Sequence, residues 1–154
     1  MPATIALPFT SRTYVALAIA RGIAAGLGHT DVSATHIALG ILREGENIAV
    51  VTLHDGGVNL RQLRHELESG LPPHGHPQLR AVVLPTTKTE QEIVELAATE
   101  AAALDSEYLG CEHLLLALLR DPDAAIARTF AGQGFTYDVA ITRLIAFYRK
   151  SREE

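Results

Sequence analysis

The residues best able to do chemistry are consecutive: Cys111, Glu112 and His113 place a thiol, a carboxylate and an imidazole side by side. A thiolate at a helix N-terminus with a base beside it is a nucleophile. Here the adjoining carboxylate opposes thiolate formation, and a small cysteine in an apolar run packs as an inert side chain. His113 has a counterpart 77 positions earlier, His36. One histidine per stretch, with no partner at i+4, supplies no zinc ligand set. Both therefore read as helix-start histidines whose rings bond to nearby backbone. His74-Gly75-His76 stands among prolines and reads as solvated linker, although such a pair can catch a stray metal ion.

Two acidic pairs, Glu44 with Glu46 and Asp121 with Asp123, recur at equivalent places. Paired carboxylates do acid–base work only in a cleft that separates their pKa values. Between helices they favour the positive N-terminal end of the next helix, and capping is the expectation. Arg143, Arg149, Lys150 and Arg152 end the chain with Glu153 and Glu154, and read as a solvated helix C-terminus rather than a nucleic-acid surface. No catalytic constellation and no metal site emerge. With 13 Lys plus Arg against 18 Asp plus Glu, the net charge of −5 argues against a phosphate-backbone binder. A single cysteine excludes an internal disulfide framework. No signal-like start and no apolar run long enough for a bilayer are present, so a cytoplasmic protein without membrane contact is expected.

The elements that position these residues follow from composition and spacing. The chain of 154 residues holds 23 Ala and 21 Leu against 8 Phe plus Tyr and no Trp, which favours helix over sheet. Leu17, Ala20, Ala24 and Leu27 form a helical stripe, as do Leu60, Leu63 and Leu67. Sliding the sequence by 77 positions aligns Phe9–Leu71 with Thr86–Tyr148 without a gap, matching Leu27/Leu104, His36/His113, Leu39/Leu116, Arg43/Arg120 and Gly57/Gly134. The matched punctuation marks a tandem duplication of a four-helix unit. Repeat one spans about 9–70, a Pro/His/Gly linker about 71–85, and repeat two about 86–149. Helices are expected from about Thr10, Ser33, Glu46 and Asn59, then from about Thr87, Gly110, Pro122 and Thr136, with Asp121 and Thr136 as N-caps and Pro122 in the first helical position. The fold class is all-α: two pseudo-symmetric four-helix repeats packed as one compact domain over residues 1–154.

Leu27-Gly-His29, followed by Ser33-Ala-Thr-His36-Ile-Ala-Leu-Gly-Ile-Leu-Arg43, and Gly110-Cys-Glu-His113-Leu-Leu-Leu-Ala-Leu-Leu-Arg120 resemble the amino-terminal domain of Clp-type AAA+ unfoldases. Phe9-Thr10-Ser11-Arg12 is similar to that family's opening FTxR, and the likeness covers about Phe9 to Tyr148. The chain stops at Glu154 and contains no G-x-x-x-x-G-K-S/T loop, so it resembles a free-standing docking domain without the ATPase modules. The resemblance implies a non-catalytic module, with no cofactor, that binds Clp substrates, adaptors or other Clp components, as accessory or competitor in Clp-dependent proteolysis. The alternative is a sensor or sequestering protein for a small molecule or for phosphoarginine. In related members a glutamate in each repeat grips phosphoarginine. Glu112 keeps it, whereas Thr35 replaces it in repeat one. The resemblance thus implies Glu112, Thr87, Thr35 and Thr10 as ligand-binding positions, with Thr87 offered as extra phosphate donor beside Glu112. His36, His113, Arg43 and Arg120 belong to the structural motif.

Overall fold

The computed structural model describes residues 7–72 and 88–153. Eight helices appear there: α1 (Ser11–Gly26), α2 (Ala34–Glu44), α3 (Ile48–Asp55), α4 (Leu60–Ser69), α5 (Lys88–Ala103), α6 (Cys111–Leu119), α7 (Ala125–Ala131) and α8 (Tyr137–Glu153). The linker histidines His74 and His76, and Thr87, lie outside the described residues.

Local chemistry accounts for most helix starts. Thr10, Ser33, Asn47 and Asn59 each accept a bond from the backbone N–H three residues on, which satisfies an orphan donor of the first turn. Asn47, not Glu46, caps α3. Thr136 accepts from the Val139 N–H at 3.4 Å. In repeat two the third helix begins later than Pro122: α7 starts at Ala125, after an N-cap at Ala124 that offers no side-chain oxygen. Asp121 instead closes a turn through Pro122, its carboxylate accepting from the Asp123 N–H at 3.0 Å and its carbonyl from the Ala124 N–H at 3.1 Å. At both third-to-fourth helix junctions a glycine takes a left-handed conformation, Gly57 at φ 83° and Gly134 at φ 76°. A side chain there would be strained, which explains why the duplication keeps glycine at both.

The core gathers around α6, in which every residue from Cys111 to Leu119 is buried. It packs against α1, α2, α3, α5, α7 and α8. The repeats also exchange polar contacts. Pro8 and Thr10 bond with Leu109 in a short parallel bridge, Leu109 N–H to Pro8 O at 2.8 Å and Thr10 N–H to Leu109 O at 3.1 Å. Arg21 on α1 holds the buried Glu90 on α5 in a bidentate pair at 3.0 and 2.8 Å. The Gln133 side chain bonds both backbone groups of Asn59, at 2.7 and 3.1 Å.

Candidate functional site

The opening of repeat one meets the helix start of repeat two. The Phe9–Leu109 bridge carries Thr10 across to Gly110, and a cavity of about 340 Å³ is lined there by Thr10, Ser11, Arg12, Tyr108, Cys111 and Glu112, among others. A threonine that lines this cavity with Glu112 is therefore Thr10, from the other repeat. The Phe9–Leu109 bridge brings these two positions of different repeats together. Thr35 starts α2 half-buried, with no carboxylate in its place.

Glu112 is 2% exposed and receives the Tyr148 hydroxyl on Oε2 at 2.7 Å. Burial pushes its carboxyl above the usual range, while the Tyr148 bond and its own backbone N–H pull it down. Its side chain folds back over Gly110, where a Cβ would collide with Oε1, so glycine at the cap makes room for the carboxylate. Burial also raises the Tyr148 and Tyr108 hydroxyls, and Glu112 raises both further. On the other wall, Thr10 Oγ1 caps α1 by accepting from the Thr13 N–H at 3.1 Å. The first turn of α1 carries no acidic side chain of its own, and Glu46, which also lines the cavity, is held by Arg12 of that turn. Arg12 donates to Glu44 at 2.9 Å and to Glu46 at 3.1 Å. Those two carboxylates hold an arginine rather than cap a helix. Glu44 further accepts from the Glu46 N–H and from Asn47, at 3.1 and 3.0 Å.

The thiol and imidazoles behave as structure. Cys111 is 1% exposed and burial pushes its thiol up to about 12, with a 3.9 Å contact to Thr13 Oγ1 pulling the other way. A thiol held there is protonated at neutral pH and is no nucleophile. His113 Nδ1 accepts from the Gly110 N–H at 2.9 Å, and His36 Nδ1 from the Ser33 N–H at 2.9 Å. Each ring thus bonds back onto the cap of its own helix, as the side chain of a capping-box Glu or Gln does. Burial lowers both, His113 to about 4.

The two motif arginines differ. Arg120 donates to Glu100 and to the Tyr137 hydroxyl, each at 2.8 Å, and Tyr137 donates to Glu100 at 2.6 Å. Arg43 is exposed and makes no hydrogen bond or ion pair among the described residues. The partners Tyr148, Glu100 and Tyr137 escaped the sequence reading. Only Glu100 carried a signal: it falls on the buried stripe of α5 with Ile93, Ala97 and Ala101, where a lone carboxylate demands a partner. Tyr148 stands 36 residues from Glu112, and nothing local joins them. Arg143, Arg149, Lys150 and Arg152 are exposed along α8, the last three toward its C-terminus.

Residues 8–133 match the family model of the Clp repeat N-terminal domain. ClpC/MecB of Bacillus subtilis, a negative regulator of genetic competence, is 34% identical over 132 residues, covering 86% of this chain and 16% of that protein. The chaperone ClpB of Oceanobacillus iheyensis is 33% identical over 86% of this chain and 16% of its own length. The chain thus spans about one-sixth of the length of these relatives. Among solved structures, the N-terminal domain of ClpD from Arabidopsis thaliana superposes with a TM-score of 0.65 at 19% identity, covering 94% of this chain and 99% of that one. The Hsp104 N-terminal domain from Candida albicans does so with a TM-score of 0.72 at 15% identity, covering 92% and 91%. No described helix is long and apolar enough to cross a membrane. With a cap motif duplicated in both repeats and a family model that matches most of its length, this protein belongs to the Clp repeat N-terminal domain family.

Proposed function

We propose that this domain is a non-catalytic docking module of the cytoplasm that binds protein segments or adaptors in Clp-type proteolysis, and that the junction cavity is where it grips them. One observation carries the reading: a buried carboxylate, Glu112, and the amide-bearing start of α1 line the same cavity from opposite repeats. A ligand group that suits both is cationic at one end and anionic at the other. A phosphoarginine side chain has that form. Its guanidinium pairs with a carboxylate, and its phosphate accepts from helix-start N–H groups. The matched structures give the docking reading a parallel, since one was solved with a peptide from the SciI protein of a type VI secretion system. To engage Glu112, the ligand must displace Tyr148 or share the carboxylate with it.

The test is a titration of phosphoarginine, and of a phosphoarginine peptide, into the wild type, Glu112→Gln and Thr35→Glu, followed by amide shifts. Loss of a charge-assisted contact costs about 1.5–3 kcal/mol, so Glu112→Gln should weaken binding roughly ten- to a hundredfold. Thr35→Glu should create a second site. A wild type that binds neither phosphoarginine nor a denatured protein at millimolar concentration overturns the reading.

A further inference from the structure

The same fold position is closed in repeat two and open in repeat one. In repeat two, Arg120 is bonded to Glu100 and Tyr137 at 2.8 Å each. The equivalents in repeat one, 77 positions earlier, are Arg43, Ile23 and Leu60, and Leu27 and Leu39 stand where repeat two has Leu104 and Leu116. The arginine and the leucines are kept, but the carboxylate and the hydroxyl are replaced by aliphatic side chains. A cavity of about 510 Å³ results, with Ile23, Leu27, Leu39 and Leu71 as apolar lining and Arg43 and Glu68 at its polar side. Two α1 glycines, Gly22 and Gly26, line it as well, and a Cβ added at either meets no atom within 4 Å. Repeat two has Thr99 and Ala103 there.

We propose that this cavity binds the C-terminal carboxylate of a protein segment that ends in an aliphatic residue. The ligand carboxylate meets the Arg43 guanidinium as Glu100 meets that of Arg120, and the aliphatic side chain lies on the leucine floor. Charge complementarity selects this occupant. A guanidinium without a partner among the described residues faces an apolar hollow, and its own duplicate shows that a carboxylate is what the geometry accommodates. Glu68 does not cancel Arg43, because Arg64 already holds it at 3.0 Å. The choice of a protein segment over another carboxylic acid rests on the docking function proposed for the domain; the carboxylate site itself does not.

Fluorescence anisotropy with a labelled hexapeptide ending Ala-Leu-Leu, as free acid and as C-terminal amide, tests the site in the full chain. The free acid should bind and the amide should bind at least about tenfold more weakly, the scale of one charge-assisted contact. Arg43→Gln should remove that difference. Gly22→Leu should block the acid by filling the hollow while the melting temperature holds or rises, because glycine is a poor helix residue. Phosphoarginine binding at Glu112 should survive both substitutions. Equal affinity for acid and amide, an unaffected Arg43→Gln, or no acid binding at millimolar peptide overturns the proposal. If phosphoarginine or denatured protein still binds in that case, only this cavity loses its assignment; if neither binds, the docking reading falls with it.

Discussion

Helices α2 and α6 begin alike, each with a histidine ring folded back onto its own cap, yet their surroundings diverge within a turn. Every residue of α6 is buried, whereas Thr35 and Leu42 of α2, at the places of Glu112 and Leu119, are only half-buried. The difference comes from the last helix of each repeat. Repeat two ends in α8, 17 residues long, which packs on α6 and delivers Tyr148 to Glu112 and Tyr137 to Glu100. Its counterpart α4 has 10 residues and leaves the hollow under Arg43 open. Duplication copies the short-range signals, the caps and the stripe, while the degree of enclosure depends on the length and identity of the helix laid on top. Repeat two has become the scaffold, and repeat one keeps more accessible surface.

The largest expected break in this comparison is in the core. Leu116 is fully buried at the centre of α6, and Leu116→Ala should cost about 3–5 kcal/mol, because transfer and cavity terms add where the surroundings cannot collapse. Its duplicate Leu39 lines the open hollow. Water and neighbouring side chains can adjust there, so Leu39→Ala should cost about 2–3 kcal/mol, the lower part of the usual range. Urea unfolding of both variants decides the point. Equal losses would mean that α2 is as tightly enclosed as α6.

The two cap histidines sharpen the comparison through pH. Burial holds His113 at about 4, well below the ordinary value of 6.5. Between those values the unfolded chain takes a proton that the folded chain refuses, so unfolding is favoured as pH falls. The stability His113 confers is complete above about 6.5 and lost progressively toward pH 4, with an extent on the order of 3 kcal/mol. Glu112 acts in the opposite sense, since its raised carboxyl lets the folded state keep a proton longer as pH rises. His113→Gln retains an acceptor for the Gly110 N–H and removes the titration. Its stability should vary less between pH 4 and 6.5 than the wild type's. An unchanged slope would assign the acid sensitivity elsewhere, first to His36, which burial and then His29 also lower.

What the sequence revealed divides along the same physical line. The helices, their caps and the 77-residue duplication were legible because each depends on residues within a turn or two: Ser33 with His36, Asn59 with Gln62, Gly57 with its own backbone. The start of α7 was misplaced because Pro122 is acceptable both in a first helical turn and in the tight turn it occupies. Of the candidate site, Glu112 and Thr10 could be named from the sequence, but not that they line one cavity. The crossover that unites them is a contact between Phe9 and Leu109, 100 positions apart, and no local pattern encodes it. Arg12 with Glu44, and Glu100 with Tyr137, were hidden for the same reason: opposite charges are common on helices, and which ones meet is decided by packing.

The smallest expected effect probes how closely the first helix pair crosses in each repeat. Gly40 on α2 faces α1, where an added Cβ would collide with the Ala16 carbonyl and lie 3.1 Å from the Ala20 nitrogen. Both are backbone atoms of a helix and cannot swing aside as a side-chain tip would. The equivalent position in repeat two is Ala117, which is buried with its methyl in place. Replacing glycine by alanine in an open helix gains roughly 0.5–1 kcal/mol of backbone entropy. Overpacking a close crossing costs about 1–3 kcal/mol. The second effect should win, leaving Gly40→Ala about 1 kcal/mol less stable than the wild type. Ala117→Gly in repeat two should also lose about 1–2 kcal/mol, there from helix propensity and the loss of a buried methyl. Denaturant midpoints of the two variants give both signs. A Gly40→Ala protein as stable as the wild type, or more so, would show that α1 and α2 can part without loss and that repeat one crosses no more tightly than repeat two.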